Sequence, residues 1–280
     1  MQISTLLNSG SNFLKNRNIK SHILDSELLL SSILKRTRED LILNSELKVS
    51  QKKAKLFNDL IERRSNREPI AYILKEKEFW SKNFFVNSDT LIPRPETELL
   101  VEKIVQIYNK KNILLLDIGT GSGCIIISIL SELKKSRGIG IDVCSKALKV
   151  AKINAKHLDL EKRIKFENKK FEHINRAKFD LIVSNPPYIK NNELKNLEED
   201  VKNYEPELAL KGGNDGLDVI KKVIYKSKNI LKIKGMLALE IGSGQFKKVS
   251  KILRNNNFKI DYLIVDCSKN IRGVISTLLK

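Results

Sequence analysis

The run of residues with the most pointed chemistry is Asn185 to Tyr188, in the stretch FDLIVSNPPYIK. Leu181, Ile182 and Val183 form a short continuous apolar run, the pattern of a strand buried on both faces of a parallel sheet. Two prolines follow, which remove two backbone N–H donors and fix φ, so the chain leaves the sheet as a stiff extended turn. A planar amide or amino-purine nitrogen is a poor nucleophile because its lone pair is delocalised. To act as a methyl acceptor it must be aimed and polarised. Asn185 offers a side-chain carbonyl and Pro186 a backbone carbonyl, two acceptors for the two hydrogens of one NH₂ group. Pro187 stiffens the bracket before substrate arrives, and Tyr188 offers a flat face to cover a planar group. Asn185, Pro186 and Tyr188 are therefore the candidate catalytic residues, and Asn185 to Tyr188 the candidate acceptor site.

Upstream, ILLLDIGTGSGCIIISIL runs from buried strand through a glycine turn to an apolar helix. Gly119, Gly121 and Gly123 permit a tight reversal that brings backbone N–H groups and a helix N-terminus close to a ligand. The spacing departs from a dinucleotide fingerprint, because Cys124 or Ile126 stands where its third glycine belongs. Asp117 ends the strand, an acid poorly suited to a pyrophosphate and well suited to an ammonium group. The next strand ends in Asp142, at the distance where such units reach ribose hydroxyls. Taken singly, Asp117 could cap the turn and Asp142 could start the next helix. Together they favour a cationic nucleoside.

The elements that must position these residues read as follows. Residues 1–70 are helical: HILDSELLLSSILKR carries a broad apolar stripe, and SQKKAKLFNDLIERR opens on Ser50 as N-cap. Residues 71–95, rich in β-branched and aromatic types around polar breaks, predict a hairpin linker. From residue 96 to 280, apolar strands at Ile113 to Leu116, Gly138 to Val143, Ile164 to Glu167, Phe179 to Ser184 and Met236 to Ile241 alternate with helices. That alternation predicts an α/β doubly wound sheet. KIDYLIVDC and GVISTLLK, separated by a short loop, predict two antiparallel closing strands. The pair Gly242 and Gly244 reads as an ordinary strand exit.

The chain has 280 residues, 41% hydrophobic and 30% charged, and no apolar run near the roughly 18 residues that span a bilayer. No secretory signal is recognisable, and three scattered cysteines without C-x-x-C spacing fit a reducing cytoplasm and no metal. Net charge is +19, from 52 Lys and Arg against 33 Asp and Glu, spread along the whole chain. Such an excess attracts polyanions weakly and without specificity. Nucleic acid is not required by this reading, and a monomer is expected.

The motifs resemble those of the HemK/PrmC family of protein-(glutamine-N5) methyltransferases. DIGTGSG resembles that family's cofactor turn, IDVCSKAL its ribose acid, SNPPYI its substrate clamp, LIPRPETELLVE its linker signature and YEPELALKGGNDGLD its post-clamp segment. The resemblance covers nearly the whole chain. It implies a Rossmann-like class I S-adenosylmethionine-dependent methyltransferase sheet with an N-terminal helical bundle and a hairpin linker. The substrate implied is the glutamine of the Gly-Gly-Gln loop in peptide chain release factors. Carried onto this sequence, Gly119, Thr120, Gly121, Ser122, Gly123 and Asp142 hold S-adenosylmethionine with Asp117 nearby, Asn185 touches both ligands, and Asn185, Pro186, Pro187 and Tyr188 hold the glutamine. After Asp142 the usual acid and aromatic near the adenine are replaced by ENKKFEH, leaving Phe171 as the stacking candidate beside Lys169 and Lys170. The usual glycine after YIL is Lys75. An adenine-N6 methyltransferase of DNA or RNA shares NPPY and is the rival enzyme; a basic, non-catalytic adaptor is the rival of another class. Residues 1–70 are expected to dock the release factor.

Overall fold

A computed structural model describes residues 1–174 and 178–279, which divide into two compact units. The first contains residues 1–76 together with 198–204. Its helices are α1 (Ile3–Asn16), α2 (His22–Leu34), α3 (Arg38–Leu43), α4 (Gln51–Ser65) and α5 (Ile70–Leu74). Leu6, Leu14, Leu29, Leu30 and Phe57 form its core. Gly10 lets α1 approach closely, since a Cβ there would stand 2.6 Å from the Phe57 ring. Ser50 caps α4 as its type predicts, accepting from the Lys53 N–H.

One expectation fails in this unit. Residues 71–74, read as the start of the hairpin linker, continue from Ile70 as α5 instead. Pro69 at the N-cap presets the entry, and Ala71, Tyr72 and Ile73 are buried, so burial overrides the strand preference of Ile and Tyr. Lys75 closes α5 in the left-handed region at φ +59°, the conformation for which glycine is the usual choice. The segment 198–204, which includes a later short helix, belongs here through Arg64. That guanidinium bonds Asp25 on α2 at 2.6 Å and Asp200 at 2.8 Å, with its own side chain 8% exposed.

The second unit holds residues 77–197 and 205–279 of the described chain. A hairpin of β1 (Glu76–Phe79) and β2 (Lys82–Phe85) is followed by α6 (Pro95–Tyr108). Phe79 and Phe84 lie in the same cluster as Leu100, Ile104, Ile126 and Leu130. The sheet has seven strands: β3 (Leu114–Ile118), β4 (Arg137–Asp142), β5 (Ile164–Asn168), β6 (Phe179–Ser184), β7 (Leu231–Glu240), β8 (Phe258–Val265) and β9 (Ile271–Leu278). Their order is β5-β4-β3-β6-β7-β9-β8. All neighbours pair parallel except β9, which is antiparallel to both β7 and β8. The closing strands are thus antiparallel neighbours, as their short connection requires.

Helix α7 (Cys124–Glu132) follows β3, α8 (Ser145–His157) follows β4, and α9 (Glu199–Tyr204) is the short helix already placed in the first unit. Two more, α10 (Asp218–Ile230) and α11 (Phe246–Asn255), flank β7. Strand order reverses between β3 and β6. Ligands of open α/β sheets bind at such a switch point, outside the carboxyl ends of the strands. The register Ile118↔Ser184 puts Gly119 and Asn185 side by side as they leave the sheet.

Candidate active site

Where β3 ends, the chain turns through Gly119, Gly121 and Gly123 at φ +72°, +54° and +80°. These left-handed values are open to glycine at little cost. A Cβ at Gly119 would meet nothing within 4 Å, so that glycine faces open space, whereas one at Gly123 would stand 2.9 Å from Ile127. The N–H groups of Gly119 and Thr120 donate to the Ile141 carbonyl at 2.9 and 3.0 Å, pinning the turn to the neighbouring strand. Asp142 then reaches across from β4. Its Oδ2 accepts the Gly121 N–H at 3.0 Å and its Oδ1 accepts the Cys144 N–H at 2.8 Å. Each oxygen keeps lone-pair capacity for a hydroxyl. Burial raises the Asp142 pKa, and the backbone N–H groups counter it.

These elements wall a cavity of about 370 Å³ lined by Gly119, Thr120, Gly121, Ser122, Asp142 and, from the other side of the switch point, Asn185. Pro186 and Pro187 line it too, as do Lys169 and Phe171. Three residues of the sequence reading lie outside its lining: Asp117, Gly123 and Tyr188. Asp117 is fully buried one layer down, where its Oδ2 accepts from the Thr120 hydroxyl at 2.7 Å. Burial pushes its pKa up to about 7. Its Oδ1 has no hydrogen-bond partner in the protein, leaving a buried acceptor unused beneath the glycine turn. Gly123 serves packing between α7 and α8.

Tyr188 differs most from expectation. Its ring packs with the apolar cluster of β6 and β7 instead of facing the cavity, and its hydroxyl donates to Glu240 Oε1 at 3.4 Å. Burial and the Glu240 charge push its pKa up to about 12. The physical reason is the loop that follows. Ile189 donates to the Leu210 carbonyl and accepts from the Gly212 N–H, so residues 205–218 are stitched along the bracket. Gln245 completes the stitching, donating to the carbonyls of Tyr188 at 3.0 Å and Gly216 at 3.2 Å while accepting the Gly242 N–H at 2.9 Å.

Sequence reasoning missed four polar residues here. Arg94 lines the cavity and donates to Glu205 at 2.6 Å, whose other oxygen accepts the Ile92 N–H. This pair joins the segments LIPRPETELLVE and YEPELALKGGNDGLD, giving the two signatures one physical purpose. Thr97, also in the lining, donates to Glu240 at 2.6 Å. Their partners lie about 110 to 145 residues away in sequence, beyond any local pattern.

A parallel sheet with one antiparallel hairpin at its end, a glycine turn, a ribose-distance acid and a polar bracket around one cavity define a class I methyltransferase. Comparison with known proteins agrees: residues 109–268 match the methyltransferase domain family and residues 5–74 the PrmC N-terminal domain family. The release factor glutamine methyltransferase of Clostridium acetobutylicum is 41% identical over 264 residues, 92% of this chain and 92% of that protein. The enzyme of that name from Buchnera aphidicola subsp. Schizaphis graminum is 45% identical over 234 residues, 84% of each. The chain belongs to the release factor glutamine methyltransferase family. Among solved structures, the hMettl16 catalytic domain in complex with the MAT2A 3′UTR hairpin 6 matches with a TM-score of 0.59 at 17% identity, over 79% of this chain and 83% of that one, a likeness of fold alone. No helix among the described residues is long and apolar enough to cross a membrane.

Proposed function

We propose that this protein methylates the side-chain amide nitrogen of the glutamine in the Gly-Gly-Gln motif of peptide chain release factors, with S-adenosylmethionine as donor. One observation carries the reading: Asn185, Pro186 and Pro187 line the same cavity as the glycine turn and Asp142. Gly119 to Ser122 and Asp142 hold the donor, and Phe171 is the aromatic residue of the lining available to its base. S-adenosylmethionine supplies an electrophilic methyl group on a positively charged sulfur.

The protein's part is orientation. The Asn185 carbonyl and the Pro186 carbonyl accept the two amide hydrogens of the glutamine, which aims the nitrogen and raises its electron density. The two prolines keep those acceptors fixed, so little ordering is left to substrate binding. The proton becomes acidic only as the N–C bond forms and leaves late, to water or to the carbonyls that already hold it. No strong general base is needed. The Tyr188 ring supports the bracket from beneath, so the flat-face role expected of it passes to other lining groups. Residues 1–70 dock the release factor, because one glutamine side chain carries little identity.

Transfer of a labelled methyl group tests the reading, with full-length release factor offered beside single-stranded DNA and RNA. Label in the release factor alone supports it. Label in nucleic acid alone would identify the rival adenine-N6 activity and overturn it.

A further inference from the structure

Glu240 ends β7 with 3% of its surface exposed. A carboxylate at that depth is costly unless hydrogen-bonded, and an apolar side chain would pack there without that cost. Two hydroxyls converge on it, and a third polar group stands next to it. Thr97 Oγ1 donates to Oε2 at 2.6 Å and the Tyr188 hydroxyl donates to Oε1 at 3.4 Å, while the strand pairing Ser184↔Leu239 sets Asn185 and Glu240 side by side as the chain leaves the sheet. Burial raises the Glu240 pKa, while Thr97, Arg272, Tyr188 and Asn185 all act to keep it ionised.

The Asn185 amide beside this carboxylate has a chemical consequence. The two ends of a carboxamide are nearly isosteric and opposite in hydrogen-bonding sense. Pro186 and Pro187 fix the backbone beside Asn185 and leave the rotation of its amide free. An ionised carboxylate only accepts, so it takes the Asn185 NH₂ and leaves Oδ1 for the cavity. Turned the other way, Asn185 would present two donors to a substrate that is itself an NH₂ group. We infer that Glu240 is a positioning residue that sets the orientation of the Asn185 amide, so that its carbonyl meets the methyl acceptor. This rests on the role given to Asn185 above.

Glu240→Gln is the test, because a glutamine there still offers an oxygen to one hydroxyl and an NH₂ that the other can accept from. With release factor as substrate, kcat falls about 10- to 100-fold, while KM and the cofactor dissociation constant stay within about threefold. In an Asn185→Ala background the same substitution changes kcat less than about twofold, since the group it acts through is gone. Equal losses in both backgrounds would overturn the inference.

A measurement without turnover separates this from the substrate assignment. The Asn185 side-chain NH₂ pair, identified in ¹H–¹⁵N spectra by its loss in Asn185→Ala, has one proton shifted downfield and slow to exchange in the wild-type protein, and Glu240→Gln removes both features. If the wild-type protein leaves release factors unmethylated, the proposed function fails while the spectrum still decides the role of Glu240. An NH₂ pair indifferent to Glu240→Gln sinks the inference alone.

Discussion

Gly212→Ala probes the bracket without touching a residue that meets either ligand. A Cβ at Gly212 would lie 2.7 Å from the Tyr188 Cα, 2.8 Å from the Pro187 carbonyl oxygen and 2.8 Å from the Tyr188 carbonyl carbon. All three are backbone atoms, so no rotamer change relieves the clash. Reaching ordinary contact at 3.4 Å demands about 0.7 Å of movement between the 205–218 loop and the bracket. The loop is held by the Gly212 N–H to Ile189 carbonyl bond at 2.8 Å and by Gln245, so the displacement falls on Pro187 and Tyr188. Overpacking of this kind costs about 1–3 kcal/mol, which lowers Tm by roughly 3–10 °C in a domain of this size. A misplacement approaching 1 Å in groups that orient the reacting nitrogen lowers kcat by up to about 100-fold. Steady-state methyl transfer to release factor and calorimetric titration with S-adenosylhomocysteine separate the two sites. Impaired kcat with cofactor affinity within about threefold of wild type is the expected pattern. A variant with the expected drop in Tm and an unaltered kcat would show that the loop yields instead, and that the position of the bracket does not govern the rate.

Asn185→Ala loses at least about 100-fold in kcat, and titration shows its cofactor affinity retained within about tenfold. Asp142→Ala removes charge-assisted hydrogen bonding worth about 1.5–3 kcal/mol, so calorimetry reads cofactor affinity about 10- to 100-fold weaker. Arg64→Ala strands Asp25, whose side chain is 4% exposed, and destabilises the helical unit by about 3–5 kcal/mol in thermal unfolding followed by circular dichroism. Asp117 gives a pH signature in the cofactor-free protein. Its folded pKa, about 7, lies above its ordinary value of 3.8, so its contribution to stability is complete below pH 3.8 and disappears as pH rises through about 7. Denaturant titrations of Asp117→Asn across that interval show a flatter pH dependence than wild type.

The sheet was readable from residue pattern because each strand carries its own signal. Phe179 to Ser184 falls where its apolar run places it, and the antiparallel β8 and β9 follow from a connection too short to cross over. The glycine turn and Asp142 were readable for the same reason, since local spacing sets both. Tyr188 was not, because the direction of its ring depends on Gly212, Gly216 and Gln245, which reach it from two later loops. Glu240 and Arg94 gave no local sign, as each acquires its meaning from a partner that only the tertiary fold supplies. Ala71 to Leu74 misled through composition: side chains typical of strands are buried there in a helical turn. The placement of residues 198–204 with the N-terminal helices likewise depends on Arg64, more than 130 residues earlier in the chain.

The central claim is that the bracket holds a primary carboxamide for methylation. Tandem mass spectrometry of release factor incubated with S-adenosylmethionine and either the wild-type protein or Asn185→Ala tests it most directly. The account predicts one added methyl group on the side-chain nitrogen of the Gly-Gly-Gln glutamine with the wild-type protein, and almost none with the variant. A methyl group on any other residue, or equal modification by both proteins, would contradict it.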